Sequence, residues 1–549
     1  MSLLLRLLFG FSLCGSAAAF NYVADANSTY WGIQDYAPPR VDTGSIRATQ
    51  IGPGQTPAFS TSINGYGGIK VLVQATPKGR GVGFETPAPR FNGELMRGFG
   101  LQFDGADRFN TTQSVALGGV TISRSVYVNR NANWARWLDS FTNTTNAPLT
   151  IKVAFGGQSG IGASGGNSSA IVSTSSGDGV VSSADSWVSI ATPLAGNTLV
   201  GAPQVTVFGT PSPFAGAIIF AGNWLHDTFN NPLAYTGHEG NFPAYVHILT
   251  LAPGKSKSLL HFVVLGQRVN ATTSAGERAA VEATANLLTA APQISDLSTA
   301  QICTIANFHI AAMTIAGFDY KSCGDPAMSV VAQPPLPSAR EPYTRAKYDV
   351  FEKTISQLRA DMEAGVTTSV EITQSYLDRI AFYDRGQFGF NAYEIVASDA
   401  LEQAAAADAA RRMGRRTPVL GIPIAVKNNF DSKDMATTNG SMTFAGFRPA
   451  RDAFQVSRLR EAGAIIIGKA ALEEYATSGN YSNDAWGQVW NVYHPSKSAL
   501  ASSGGSASAL AASLAAGALG SQTGDSLYAP ASGASLVTLR GTDGLQSGT

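Results

Sequence analysis

The sequence is short of charge and of the residues that usually announce a cofactor. Of 549 residues only 14% are charged, and 38 basic residues balance 38 acidic ones. A neutral chain without a Lys/Arg run has no electrostatic footprint for nucleic acid or an anionic membrane, so neither is expected as a partner. Cysteines number three and histidines six. No Cys-rich zinc pattern and no phosphate-cradling glycine loop occurs, so no metal and no cofactor is expected. What the chain does hold is 44% hydrophobic residues and 58 glycines. That excludes a mainly disordered polymer and allows about two to four domains at roughly 150 residues each.

Residues 1–19 read as a secretory signal. Arg6 is their only charge, residues 3–11 are otherwise apolar, and Ala17-x-Ala19 is a small-residue cleavage site. The apolar stretch is too short to span a bilayer, so a secreted chain is expected, without a membrane span once mature. Cys14 leaves with the signal. Cys303 and Cys323 remain, and an oxidising compartment favours their pairing over two separate buried thiols. Sequons at Asn27, Asn110, Asn143, Asn167, Asn270, Asn439 and Asn480 are candidates for glycosylation. A second uncharged run, 498–524, is rich in Ser and Gly and reads as a buried helix flanked by glycine loops.

The body of the chain divides in two. Residues 20–332 read as a β-sandwich-like domain closed by helices. Runs at 120–128, 149–155, 205–208, 245–251 and 259–265 are β-branched and partly alternating, with turn residues between them. Helical spacing follows at 274–290 and 298–316. Residues 333–344 hold a Pro-rich linker. From 345 to 549 charge is denser, with 39 of the 76 charged residues among the last 205. There helices at 367–383, 401–412 and 456–462 alternate with strands at 419–426 and 464–467, the pattern of a sheet covered by helices. Thr368 and Ser369 stand ahead of Glu371 as cap residues of the first.

Candidate chemistry sits in this second part. His494 is its only histidine, and nothing around it resembles a Ser-His-Asp triad. A serine nucleophile needs a base within reach, and a lysine serves where burial leaves it neutral. Lys427 ends the apolar run Gly421-Ile-Pro-Ile-Ala-Val426. The C-terminal end of such a strand is where α/β sheets expose reactive groups. Two Ser/Gly segments follow, Ser502-Ser503-Gly504-Gly505-Ser506 and Gly520-Ser521-Gln522-Thr523-Gly524-Asp525-Ser526. Glycines there let backbone N–H groups turn inward, as an oxyanion site requires. Singly, each piece reads as a solvated lysine or a flexible loop.

Together and in this order, the three segments resemble the amidase signature family, from about Tyr348 to Thr549. Asn439-Gly440-Ser441, Ala462-Gly463-Ala464-Ile465 and Gly468-Lys469 fit it as well. The resemblance implies a partial α/β amidase-signature domain, because family domains are longer than the 205 residues present. It implies hydrolysis of a carbon–nitrogen amide bond in a small-molecule or peptide substrate. Lys427 would be the base, Ser502, after a cis peptide, the proton relay, and Ser526 the nucleophile. The backbone N–H groups of Thr523, Gly524, Asp525 and Ser526 would hold the oxyanion. The frame departs from the family at four places. Ala499-Leu500-Ala501 replaces Pro-Gly-Gly, Gln522 an Asp, Asp525 a Gly and Tyr528 an Arg. Asp525 is expected to put a carboxylate beside the developing charge.

A rival reading is a non-catalytic secreted protein, with a β module for a ligand such as carbohydrate and an inactive amidase-like remnant. Trp224, His226, Asp227, His238 and Glu239 gather polar groups suited to a metal or sugar, but without sharp ligand spacing. Gly162-Ala-Ser-Gly-Gly166 formally matches a nucleophile elbow yet lacks a following helix. No carboxylate pair points to a glycosidase. The basic residues Arg411, Arg412, Arg415 and Arg416 read as a helix end.

Overall fold

The computed structural model describes residues 21–27, 29–35, 42–51, 65–73, 92–159, 169–191, 203–211, 219–235, 239–267, 274–337, 343–344, 346–385, 389–477, 482–483, 485–495 and 497–542. The predicted signal 1–19, the 162–166 motif, His238 and the sequons Asn167, Asn270 and Asn480 lie outside them.

Among the described residues before 270, antiparallel strands form three sheets. A four-stranded sheet runs in the order Ile219–Asn223, Pro243–Leu251, Leu149–Gly156, Gly68–Val73. A nine-stranded sheet has Ser256–Leu265 and Trp134–Asn143 at its centre, flanked by Gln204–Val207 and Val120–Val128. A small sheet joins Asn21–Ala24, Thr29–Ile33 and Ile46–Ile51. The turn at 252–255 carries the chain from the four-stranded to the nine-stranded sheet, so the two strands it joins belong to different layers.

Side-chain alternation explains why the central strands read as nearly unbroken apolar runs. Along Ser256–Leu265, Leu259, Val263 and Leu265 enter a core shared with Trp137, Phe155 and Tyr245. Leu260, Phe262 and Val264 enter a second core on the opposite face. There the helix Ser274–Ala290 lays down Val281, Ala285 and Leu288. A strand buried on both faces has no polar side to show. Arg124 is buried in this region and grips Asp139 with two nitrogens, at 2.7 and 3.0 Å.

The helix expected over 298–316 is shorter. It spans Thr299–Thr304, with a capping box between Ser298 and Gln301. Beyond it the backbone turns extended and the sheet takes over its hydrogen bonds. Ala306 N–H donates to the Ser258 carbonyl, and the Asn307 side chain bonds the main chain of both Leu260 and Phe208. Apolar spacing alone did not register that competition. Cys303 and Cys323 form a disulfide, with Cα atoms 5.4 Å apart. The start of the Pro-rich segment lies against the strands: Ser114 bonds the Pro334 and Pro335 carbonyls, and Gln333 bonds Thr142.

The later residues form a four-stranded sheet ordered Tyr393–Val396, Ile465–Ala470, Pro423–Lys427, Gly517–Leu519. The first pair is antiparallel and the others parallel. Around it stand the helices Ile355–Glu363, Ser369–Arg379, Ala400–Arg412, Phe454–Glu461 and Gly504–Ala511. Ser369–Arg379 starts at the expected place, with Thr368 and Glu371 as a capping box, and ends in a wider turn over Ile380–Asp384. The uncharged run contains the buried helix Gly504–Ala511, and no helix among the described residues is long and apolar enough to cross a membrane.

Candidate active site

Strand Pro423–Lys427 lies between two parallel neighbours, and each of its residues is buried. It ends by delivering Lys427 into the interior. Helix Gly504–Ala511 packs against the same strand ends, and its second residue has to be glycine. A Cβ on Gly505 would lie 2.4 Å from the Ala471 carbonyl oxygen and 2.5 Å from that of Ala392. This close approach gives the second glycine of the serine segment a physical reason.

Lys427 Nζ lies 2.7 Å from Ser502 Oγ, 2.9 Å from Ser521 Oγ and 3.3 Å from the Ser521 carbonyl. Burial lowers its pKa to about 7, against an opposing pull from Glu473. As an ammonium it donates to all three oxygens; as a neutral amine it accepts the Ser502 proton. Ser502 is fully buried, follows a cis peptide from Ala501, and its carbonyl accepts from Glu473 N–H at 3.2 Å.

The two Ser/Gly segments are laced together. Ser503 N–H donates to the Ser526 carbonyl at 3.1 Å, and Ser503 Oγ to the Ser521 carbonyl at 3.1 Å. Ser506 Oγ donates to the Leu519 carbonyl at 2.8 Å. Ser526 is half-buried and shares one cavity wall with Ser502. No hydrogen bond among the described residues joins its Oγ to Ser502. The N–H groups of Thr523, Gly524, Asp525 and Ser526 likewise donate to no described residue, which leaves them open to an anion.

Two of the four departures have structural answers. The Gln522 side-chain carbonyl accepts from the N–H groups of Leu527 and Tyr528, at 2.9 and 3.0 Å, just ahead of the helix Tyr528–Gly533. It satisfies donors a helix start leaves orphaned. Asp525 is exposed and does not line the cavity that Ser526 lines, although its sequence position suggested a carboxylate beside that serine.

The cavity measures about 720 Å³. Phe444, Phe447 and Tyr475 line one part and meet edge to face, with centroids 6.1 and 6.4 Å apart. Asn429 also lines it, donates to Ser521 Oγ at 2.8 Å, and keeps a buried Oδ1 without a partner. Ser521, Asn429 and Glu473 were not singled out from the sequence. The only signal was the place of Ser521 in a glycine-flanked segment. Behind the site, half-buried Glu394 accepts from Asn428 Nδ2 and Thr438 Oγ1, both at 2.5 Å, and its pKa is pushed up to about 7 by desolvation of the carboxylate. Lys469 donates to the Phe430 carbonyl and Thr437 Oγ1, at 2.7 and 2.9 Å.

The remaining candidates scatter. Asn27 and Asn110 are exposed, and Asn439 is partly exposed on the cavity wall. Asn143 is a correction. It is fully buried, its Nδ2 donates to the Ala147 and Leu251 carbonyls at 2.8 and 3.0 Å, and the folded site has no room for a glycan. Trp224 is buried beneath Lys70, while His226 and Asp227 are exposed. No group of three His, Cys, Asp or Glu suited to a metal occurs among the described residues. Arg411 donates to the Leu420 carbonyl and Arg416 to that of Arg411, at the end of helix Ala400–Arg412.

Residues 371–548 match the amidase family model. The A subunit of the glutamyl-tRNA(Gln) amidotransferase of Thermobifida fusca is 41% identical over 201 residues, covering 36% of this chain and 40% of that protein. Its namesake from Coxiella burnetii is 40% identical over 195 residues, with the same shares. The native peptide amidase of Stenotrophomonas maltophilia is 44% identical, over 33% of this chain and 38% of that one, with a TM-score of 0.32. The chain spans about 40% of the length of these curated relatives. Residues 371–548 are thus the part of the chain that is similar to the amidase signature family.

Proposed function

We propose that this chain is a secreted amidase that hydrolyses a carbon–nitrogen amide bond through Lys427, Ser502 and Ser526. Its parts would be a β-sandwich-like domain over 20–332, a linker over 333–344 and a partial amidase domain over 345–549, with glycans at exposed sequons such as Asn27 and Asn110. One observation carries the reading: buried Lys427, its pKa lowered to about 7, lies 2.7 Å from Ser502 Oγ beside a cavity that Ser526 shares. A lysine in solvent has no such pKa; burial also lowers Lys70 and Lys469, each to about 8, but Lys427 in addition holds a serine hydroxyl on the cavity wall.

The chemistry follows from those positions. Neutral Lys427 takes the Ser502 proton while Ser502 takes that of Ser526. Ser526 Oγ bonds to the carbonyl carbon, and the displaced electron pair settles on an oxygen held by the N–H groups of Thr523 to Ser526. Collapse breaks the C–N bond and returns the proton through Ser502 to the leaving amine. Water then repeats the attack and frees the acid. The names of the relatives support an amide or peptide amide as substrate.

The test is amine release from a panel of primary amides and amidated peptides. Full-length protein should release amine, and Ser526→Ala and Lys427→Ala should each lose about a thousandfold or more. One observation favours the non-catalytic alternative: Ser526 Oγ has no hydrogen bond to Ser502, while Lys427 also holds Ser521. Glycan binding by the full chain without amine release from any amide would establish that alternative instead.

A further inference from the structure

Two residues ahead of Ser502, Leu500 has a φ of +63°. A branched L side chain in that region presses on its own backbone. Such a conformation persists only where the surroundings over-determine it. Part of the constraint is local. Trp490 pairs with Ser498, Asn491 N–H donates to the Lys497 carbonyl at 2.9 Å, and Leu500 N–H to Ser498 Oγ at 3.0 Å.

The rest arrives from the opposite end of the chain. Arg97, 1% exposed, lies over the Trp490 indole, 3.6 Å from the ring centroid, and its Nη2 donates to the Pro495 carbonyl at 2.7 Å. Glu94, three residues earlier, pairs with Lys497 at 3.7 Å. The turn carrying Arg97 is itself pinned: the Asp42 carboxylate accepts from Gly98 N–H at 2.7 Å and Gly100 N–H at 2.8 Å. A guanidinium that stacks and donates in one plane fixes direction as well as distance. The loop it grips runs straight into the serine that touches Lys427.

We propose that Arg97 is a positioning residue for the relay serine: through its stack on Trp490 and its bond to Pro495, the N-terminal β region holds Leu500 in its left-handed conformation and Ser502 Oγ on Lys427. The inference rests on the amidase reading above, and it gives the β region a part in the chemistry that its own residues do not perform.

The experiment measures the rate at which a fluorophosphonate labels Ser526 in the full chain. Arg97→Met should slow labelling about tenfold or more, since small misplacements of reacting groups cost that much. Adding Leu500→Gly, which adopts the same φ without strain, should return most of the lost rate. Arg97→Lys keeps the charge, loses the planar stack, and should slow labelling in the same direction without threatening the fold, as near-ultraviolet circular dichroism would verify. Labelling of Arg97→Lys and Arg97→Met at the wild-type rate overturns the proposal. So does a loss that Leu500→Gly leaves unrepaired, because it marks Arg97 as structural glue only. A wild-type chain that is never labelled fails the amidase reading itself, a distinct result.

Discussion

Lys427 and Glu394 show how burial sets the chemistry of single residues. Lys427 is lowered to about 7, so its neutral, proton-accepting form grows as pH passes through 7. Amide hydrolysis should rise between pH 6 and 8 and then level, with an inflection near 7; an inflection near 10 in the pH–rate profile would contradict the assignment. Glu394 moves the other way, raised from 4.5 to about 7 by burial. Between those values the folded chain binds more protons at this site than the unfolded one, so its contribution to stability falls as pH rises from 4.5 to 7. Glu394→Gln should flatten that slope in denaturant melts taken across the window; an unchanged slope would assign it to other groups. The sequence made Lys427 visible because it closes an apolar strand. It hid Glu394, whose partners Asn428, Thr438 and Asn483 are distant in the chain. Asn143 went astray for a related reason: a sequon is read from three residues, while burial depends on the strand it ends.

At the scale of elements, legibility followed the number of competing hydrogen-bond partners. Helix Ser369–Arg379 begins where its capping residues say, because Thr368 and Glu371 settle the first turn locally. Thr368→Ala should remove that box and cost about 1 kcal/mol, read as a lower denaturation midpoint with an unchanged m-value; no shift would mean that tertiary packing alone fixes the helix start. Strand Val120–Val128 was legible end to end. The helix after Ser298 was overestimated because a neighbouring strand edge offers Ala306 and Asn307 better partners than a further helical turn. Gly505 shows the opposite case, where one small residue encodes a contact between a helix and two strand ends.

At the scale of the molecule, two cross-links of different kinds hold distant segments. The disulfide Cys303–Cys323 closes a loop of 20 residues and on chain-entropy grounds contributes about 3 kcal/mol. Cys303→Ser with Cys323→Ser should lower stability by roughly that amount, and a double variant as stable as wild type would contradict this. The other link, Arg97 on Trp490, joins the β-rich strands to the serine loop, and nothing in either local sequence announces it. The change in charge density near residue 345 marked two compositions but could not reveal that one steadies the other. The central claim remains the lysine-driven serine. It is tested most directly by incubating the full-length protein with a fluorophosphonate at pH 8 and locating the adduct by peptide mass. The account predicts one adduct, on Ser526, lost in Lys427→Ala. An adduct elsewhere, or one on Ser526 that survives removal of Lys427, would contradict it.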